Sequence, residues 1–140
     1  MKTRPQVLLM LLMGLLASIA LAEQDGTWSD AATGLTWATQ DNGNAVNWDQ
    51  AGKYCANLRL ASYSDWRLPT IDELADLHDQ TQNVYSFHIK GSIRLSACCP
   101  WSCSTGSASG TAWSFDFAAG KRYTRKRSDP IGHRALCVRR

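Results

Sequence analysis

Two stretches in the middle of the chain begin with the same capping pattern and continue with apolar residues at helical spacing. In the first stretch, Asn47 precedes Gln50 by three positions. In the second, Thr70 precedes Glu73 by three, and such a pair can exchange side-chain to backbone hydrogen bonds at a helix start. Apolar positions then recur every three or four residues, as Trp48, Ala51, Cys55 and Leu58 and as Ile71, Leu74, Ala75 and His78. The pattern predicts two helices that pack on a core, the second fading after Asp79.

Alternating residues predict strands near both ends of the chain. Residues 27–29 and 35–38 flank a turn that contains Asp and Gly. In residues 113–117, aromatic side chains alternate with Ser and Asp, which is typical of a half-buried strand. A Gly-containing turn then leads to a hairpin partner over residues 122–126, and residues 134–138 are expected to form a final strand.

The region between the second helix and the paired strands has no regular period. Residues 80–103 mix aromatic and polar side chains, and we expect residues 96–103 to be a loop held by sulfur. There is no internal repeat and no linker, so residues 23–140 are predicted to form one domain. The fold class is α+β: two helices on a small antiparallel sheet with a long irregular region, the terminal strands sharing one sheet.

The first 22 residues have the three parts of a secretory signal peptide. Lys2 and Arg4 precede an apolar run over residues 7–21, and Ala20 and Ala22 form a small-x-small cleavage site. The run is too short for a membrane span and lacks a stop-transfer flank. We therefore expect an exported protein, periplasmic or secreted, with no membrane span after cleavage.

Positive charge is concentrated near the end of the chain. Losing Lys2 and Arg4 would lower the formal net charge from +3 to about +1, so distribution matters more than the total. The candidate binding residues are five cations on the predicted hairpin: Lys121, Arg122, Arg125, Lys126 and Arg127. They could bind sulfates or other anions, with arginine offering two parallel hydrogen bonds, or they could be a solvated hairpin. Nucleic acid is not expected as a partner, because export separates the protein from it and no binding motif is present.

All five cysteines follow the predicted cleavage site, where the compartment permits disulfides. Cys55, inward on the first helix, and Cys137, in the last strand, stand apart from the others, and we expect them to pair. Their bond would close a loop of 82 residues, which is worth roughly 4 kcal/mol. The cluster of Cys98, Cys99 and Cys103 cannot pair completely, which leaves one thiol free, bound to another chain or ligating something.

The cysteine cluster leaves a chemical alternative open. Its thiols could hold Cu(I), helped by His88 or His133, or act as a redox pair. One disulfide plus an odd thiol is the simpler interpretation, and the spacing is not a standard zinc pattern. The sequence therefore predicts no cofactor and no resident metal.

The order of several short motifs resembles a known family. They are Thr33-Gly34-Leu35-Thr36-Trp37, Trp48 with Tyr54-Cys55, Ser64-Asp65-Trp66-Arg67-Leu68-Pro69-Thr70, Trp101-Ser102, Trp113-Ser114-Phe115-Asp116-Phe117 and Cys137-Val138-Arg139. Together they resemble the Lcl C-terminal domain family, named for the C-terminus of a bacterial collagen-like adhesin. The resemblance implies a C-type-lectin-like fold and, in the naming member, a trimeric adhesin that binds sulfated glycans. Two features differ: residues 1–140 contain no Gly-X-Y stalk, and the cysteine cluster replaces a serine-rich segment of many relatives.

No pattern in the sequence specifies catalysis or a typical calcium-dependent sugar site. The lectin signatures EPN, QPD and WND are absent, and the acids of the second helix, Asp72, Glu73, Asp76 and Asp79, suit capping and solubility. The sequence thus favours a non-enzymatic binding module that recognises an anionic, sulfated glycan or cell-surface polymer in adhesion. The alternatives are an assembly protein or homo-oligomer, acting through the odd cysteine or exposed aromatics such as Trp101, and the thiol or copper site.

Overall fold

The computed structural model describes residues 25–140, which form an α+β domain with two helices and seven strands. The predicted signal peptide, residues 1–22, lies outside these residues. No helix within residues 25–140 is long and apolar enough to cross a membrane. The elements in chain order are β1 (Thr27–Asp30), β2 (Leu35–Ala38), α1 (Trp48–Asn57), α2 (Ile71–Asp76), β3 (Cys99–Thr105), β4 (Thr111–Asp116), β5 (Lys121–Lys126), β6 (His133–Arg134) and β7 (Val138–Arg139).

Both helices begin where the capping patterns predict. At α1 the Gln50 N–H donates to Asn47 Oδ1 and the Asn47 N–H donates to Gln50 Oε1, both at 2.9 Å. Thr70 and Glu73 exchange the equivalent bonds at α2, at 2.8 and 3.1 Å. α2 ends at Asp76, earlier than expected, because the next two N–H groups bond three residues back and tighten the last turn. His78 consequently lies outside the helix and forms an isolated bridge with Ile89.

The first sheet joins the two ends of the described chain. Its strand order is β1-β2-β7, all antiparallel, with Trp37 opposite both Trp28 and Val138. The prediction that the terminal strands share one sheet is confirmed. The prediction of a single strand over residues 134–138 is wrong, because β6 and β7 belong to different sheets. The buried residues between them carry the chain from one sheet to the other.

The second sheet contains a strand where a loop was expected. Its strand order is β5-β4-β3-β6, and β3 runs antiparallel to β4 but parallel to β6. The prediction of a single antiparallel sheet is therefore also wrong. The strand was missed because Pro100, Trp101 and Ser102 are buried in succession, which removes the polar-apolar alternation. Ser102 is buried, and its hydroxyl donates to the Trp113 carbonyl at 2.7 Å and accepts from the Ser104 N–H at 3.1 Å.

Two apolar clusters form the core. The larger contains residues of the first sheet, α2 and the irregular region, and the smaller surrounds Trp66, Trp101 and the bond between Cys55 and Cys137. That pairing is the one the sequence predicts. Trp101 was expected to be exposed, which is wrong: it is fully buried, its indole N–H donates to the Val46 carbonyl at 2.9 Å, and its ring stacks on His133. It is therefore not available for contacts with another protein.

Candidate functional site

The five cations predicted to bind anions lie on β5 and on the residue that follows it. β5 is one of the two edge strands of the second sheet within the described residues. Because side chains alternate across a strand, Lys121 and Arg125 lie on one face, while Arg122 and Lys126 lie on the other. The five cations therefore do not form a single patch.

Arg122 is engaged with the acidic first turn of α2. Its Nη1 lies 2.7 Å from the Asp72 carboxylate, and both side chains are largely exposed. A pair of this kind contributes about 0–1 kcal/mol to stability. The pair also partly neutralises Arg122, which makes this cation less available to an anionic ligand.

Three of the other cations have no acidic partner. Lys121, Arg125 and Lys126 are exposed, and none forms a salt bridge within 4.0 Å in residues 25–140. Arg125 lies with Cζ 5.0 Å from the centre of the Tyr123 ring and donates from Nη1 to the Thr124 carbonyl at 3.2 Å. The remaining guanidinium donors of Arg125 and both lysine ammonium groups are free to bind an anion.

Arg127 connects the end of β5 to the start of α1. The side chain is half-buried, with Cζ 5.0 Å from the centre of the Trp48 indole. The Arg127 carbonyl also accepts the Trp48 N–H at 2.9 Å, and the Arg127 N–H donates to the Gly110 carbonyl at 2.9 Å. This cation is held at a fixed position beside an aromatic ring.

A groove of about 530 Å³ includes Trp48 in its lining, and no sequence pattern predicted a site there. One wall is a face of α1, the other is the segment before α2, and β3 contributes a single residue. The lining residues are Trp48, Asp49, Gly52, Lys53, Ala56, Trp66, Arg67, Leu68 and Cys103. Because these residues come from three separate parts of the chain, no short sequence motif predicts the groove.

The walls of the groove are held rigidly. The Trp48 indole N–H donates to the Ser102 carbonyl at 2.8 Å, and the buried Trp66 donates to the Leu60 carbonyl at 3.4 Å. Arg67 makes two parallel hydrogen bonds to the Glu73 carboxylate, at 2.7 and 2.9 Å. These bonds hold the pKa of Glu73 below its ordinary value of 4.5 and raise the pKa of Arg67. The segment Trp66-Arg67-Leu68 thus has a structural role and also forms a groove wall.

The cysteine cluster divides into a disulfide and a free thiol. Cys98 and Cys99, adjacent in sequence, are bonded to each other, and Cys103 is free and exposed. Cys103 lies four residues from Cys99 along β3, roughly 13 Å away, so the two sulfurs cannot exchange partners in this fold. The structure therefore separates Cys103 from the other two cysteines of the cluster.

The proposed helpers of a thiol or copper site are engaged elsewhere. His88 Nδ1 lies 2.7 Å from the Gln82 carbonyl oxygen, and His133 is buried against Trp101. An Asp116 oxygen and the Cys98 and Cys99 sulfurs lie within 4.8 Å of one another, but these sulfurs share a disulfide and offer no thiolate. The same carboxylate accepts two backbone N–H groups, at 2.9 and 3.0 Å.

Comparison with known sequences assigns the family. The sequence profile of the Lcl C-terminal domain matches residues 26–139. The chain belongs to the Lcl C-terminal domain family. The resemblance in its sequence motifs is thereby confirmed, and the match includes β5, the groove and all five cysteines. No curated protein matches the chain.

In this Lcl C-terminal domain the two candidate surfaces meet at Trp48. The basic strand reaches the indole through Arg127, and the same indole lines the groove. One sequence signal could have revealed the groove: Gly52 stands inside α1, where glycine is unfavourable by roughly 0.5–1 kcal/mol relative to alanine. Trp48, Gly52 and Ala56 are four residues apart and so share one helix face.

Proposed function

We propose that this chain is an exported, non-enzymatic binding module of C-type-lectin-like architecture that recognises an anionic, sulfated glycan or cell-surface polymer in adhesion. The observation that supports this proposal is the exposed edge strand β5, on which Lys121, Arg125 and Lys126 have no acidic partner in the described chain. Membership of the Lcl C-terminal domain family agrees with it.

The shape of the basic surface favours a polymer over a small anion. Lys121 and Arg125 lie on the same face of an extended strand, roughly 13 Å apart, so they cannot close around one ion. A polymer with repeated sulfate or carboxylate groups that follows the open edge of β5 can engage both cations, and Lys126 from the other face of the strand. Arginine adds specificity, because its planar guanidinium donates two parallel hydrogen bonds to an oxyanion.

The test measures heparin binding by residues 23–140 across a salt series. Binding to a polyanion releases counterions, so the logarithm of the binding constant should fall as the logarithm of salt concentration rises. We expect Arg125→Ala combined with Lys126→Ala to weaken binding at low salt on the order of tenfold and to reduce the salt slope by about two. Failure of the unmodified protein to bind heparin at low salt would refute the proposal.

A charge-matched variant separates a local contact from a general charge effect. Arg59 and Arg94 are exposed and lie outside β5, so changing both to alanine removes the same two charges elsewhere. This control should retain most of the affinity. Equal weakening in the two double variants would mean that overall charge, and not the basic strand, governs binding.

A further inference from the structure

The groove contains a glycine that the fold does not require. Gly52 lies inside α1, has no positive φ, and a Cβ atom built on it would meet nothing within 4 Å. Neither backbone conformation nor packing therefore explains glycine here, although alanine would make the helix more stable by roughly 0.5–1 kcal/mol. The absence of a side chain at Gly52 leaves open space in the groove.

The open space lies between two tryptophans. Trp48 precedes Gly52 by one helical turn on the same face of α1, and Trp66 stands on the opposite wall. The volume of about 530 Å³ is within the range of about 300–1,000 Å³ for small-molecule sites. Because hydrogen bonds already fix both indoles, a ligand would not have to order them.

One cation that lines the groove, Lys53, is available to an anionic ligand. Lys53 is exposed and makes no salt bridge in residues 25–140, whereas the Arg67 guanidinium is already bonded to Glu73. Asp49 is the one acid among the lining residues, and Arg127 adds a cation on the Trp48 ring. A sugar ring matches this arrangement, since its C–H faces pack on indole while a charged substituent reaches an ammonium group.

The groove is also continuous with the basic strand. Arg127 follows Lys126 directly, and its guanidinium contacts the indole that forms the groove wall. A polymer that follows β5 past Lys121 and Arg125 therefore meets Arg127, which lies against the tryptophan of the groove wall. This continuity links the groove to the same ligand as the strand.

We propose that the groove is a saccharide subsite that holds one sugar unit of the anionic glycan, with its ring against Trp48 and its anionic substituent at Lys53. The inference rests on the proposed function, because the rest of the polymer lies along β5. The subsite would distinguish a glycan from a polyanion that has no sugar rings, which charge alone does not do. Heparin should bind more tightly than polyphosphate, a polyanion without sugar rings.

The decisive variant fills the groove without damaging the helix. Leucine is a good helix former, so Gly52→Leu should be at least as stable to urea as the unmodified protein while occupying the space beside Trp48. We expect it to bind heparin about tenfold more weakly and polyphosphate within about twofold of the original affinity, a tenfold change being 1.4 kcal/mol. The matched control is Tyr54→Leu, because Tyr54 is exposed on the opposite side of α1. This control should change neither affinity.

Cys103 supplies an independent readout without mutation. It is the free cysteine and lines the groove, so the neutral reagent iodoacetamide reports whether the groove is occupied. In the monomeric fraction, saturating heparin should slow alkylation about fivefold or more, and polyphosphate should not. If heparin binds but neither shields Cys103 nor responds to Gly52→Leu, the subsite is overturned and the basic strand alone carries binding. If neither polymer binds, the proposed function itself fails.

Discussion

His133 is a titratable side chain enclosed in the core. Its ring stacks on Trp101 with centroids 4.1 Å apart, Nε2 lies 3.5 Å from the Ser114 hydroxyl, and Nδ1 has no partner within residues 25–140. Burial lowers the pKa of His133 below its ordinary value of 6.5, and Arg125 and Arg134 act in the same direction, while Asp129 and the Ile131 backbone oppose them. The neutral ring is therefore the form that the fold accommodates.

This burial predicts a loss of stability in mild acid. Below pH 6.5 the unfolded chain binds a proton at His133 that the folded chain rejects, so the free energy of unfolding falls as pH decreases, until the folded-state pKa is reached. Urea unfolding between pH 5 and 7 measures the effect. In His133→Gln the free energy of unfolding should depend less steeply on pH over this range. An unchanged slope in His133→Gln would contradict the assignment to His133.

At the scale of elements, the start of α2 depends on one carboxylate. Glu73 accepts the Thr70 N–H and both guanidinium bonds of Arg67, so it joins the helix cap to the groove wall. Arg67 in turn exchanges backbone hydrogen bonds of 2.9 Å with Val138 of β7, in the first sheet. The helix, the groove and the sheet are therefore coupled through this residue.

Truncating this carboxylate should destabilise the domain measurably. We expect Glu73→Ala to lower the free energy of unfolding by about 1–2 kcal/mol, because a cap and a partly exposed ion pair are both lost. Glu73→Gln keeps an acceptor for the Thr70 N–H, so its free energy of unfolding should fall by less. Urea unfolding at neutral pH compares the three proteins. An alanine variant as stable as the glutamine variant would show that the cap contributes nothing.

The elements that could be predicted are those specified by neighbouring residues. The capping boxes located both helices to within a residue at their starts, and the hairpin of β4 and β5 followed from alternation and a Gly turn. β3 was missed because its identity depends on contacts distant in sequence. Ser102 is polar, yet it is buried by strands and helices that the sequence does not place beside it.

At the scale of the whole molecule, two disulfides differ in what they constrain. The bond between Cys55 and Cys137 closes a loop of 82 residues and ties α1 to the chain entering β7. The bond between Cys98 and Cys99 joins neighbours and closes no loop of chain. Only the first therefore restricts the unfolded chain substantially.

Removing each disulfide separately should reveal this difference. Replacing Cys55 and Cys137 with alanine should lower the free energy of unfolding by about 4 kcal/mol, the loss expected for a loop of this length. Replacing Cys98 and Cys99 should cost far less. Thermal unfolding of the two double variants provides the comparison, and similar losses would contradict the role of loop length.

The two parts of the candidate site differed in how far the sequence revealed them. The basic strand was predictable because its cations are contiguous, although the pairing of Arg122 with Asp72 needed the fold. The groove was not predictable because α1, the segment before α2 and Cys103 of β3 meet only after folding. Gly52 was a local sign of it, but a glycine in a helix has no meaning until its surroundings are known.

The edge position of β5 has a consequence for the solubility of the protein. An edge strand presents unpaired backbone groups that can join the sheet of another molecule, and lysine or arginine side chains on such a strand oppose this by mutual repulsion. Lys121, Arg125 and Lys126 therefore also protect the domain from aggregation. Replacing them with alanine removes that protection, so weaker heparin binding by such a variant identifies a lost contact only when the variant is monomeric.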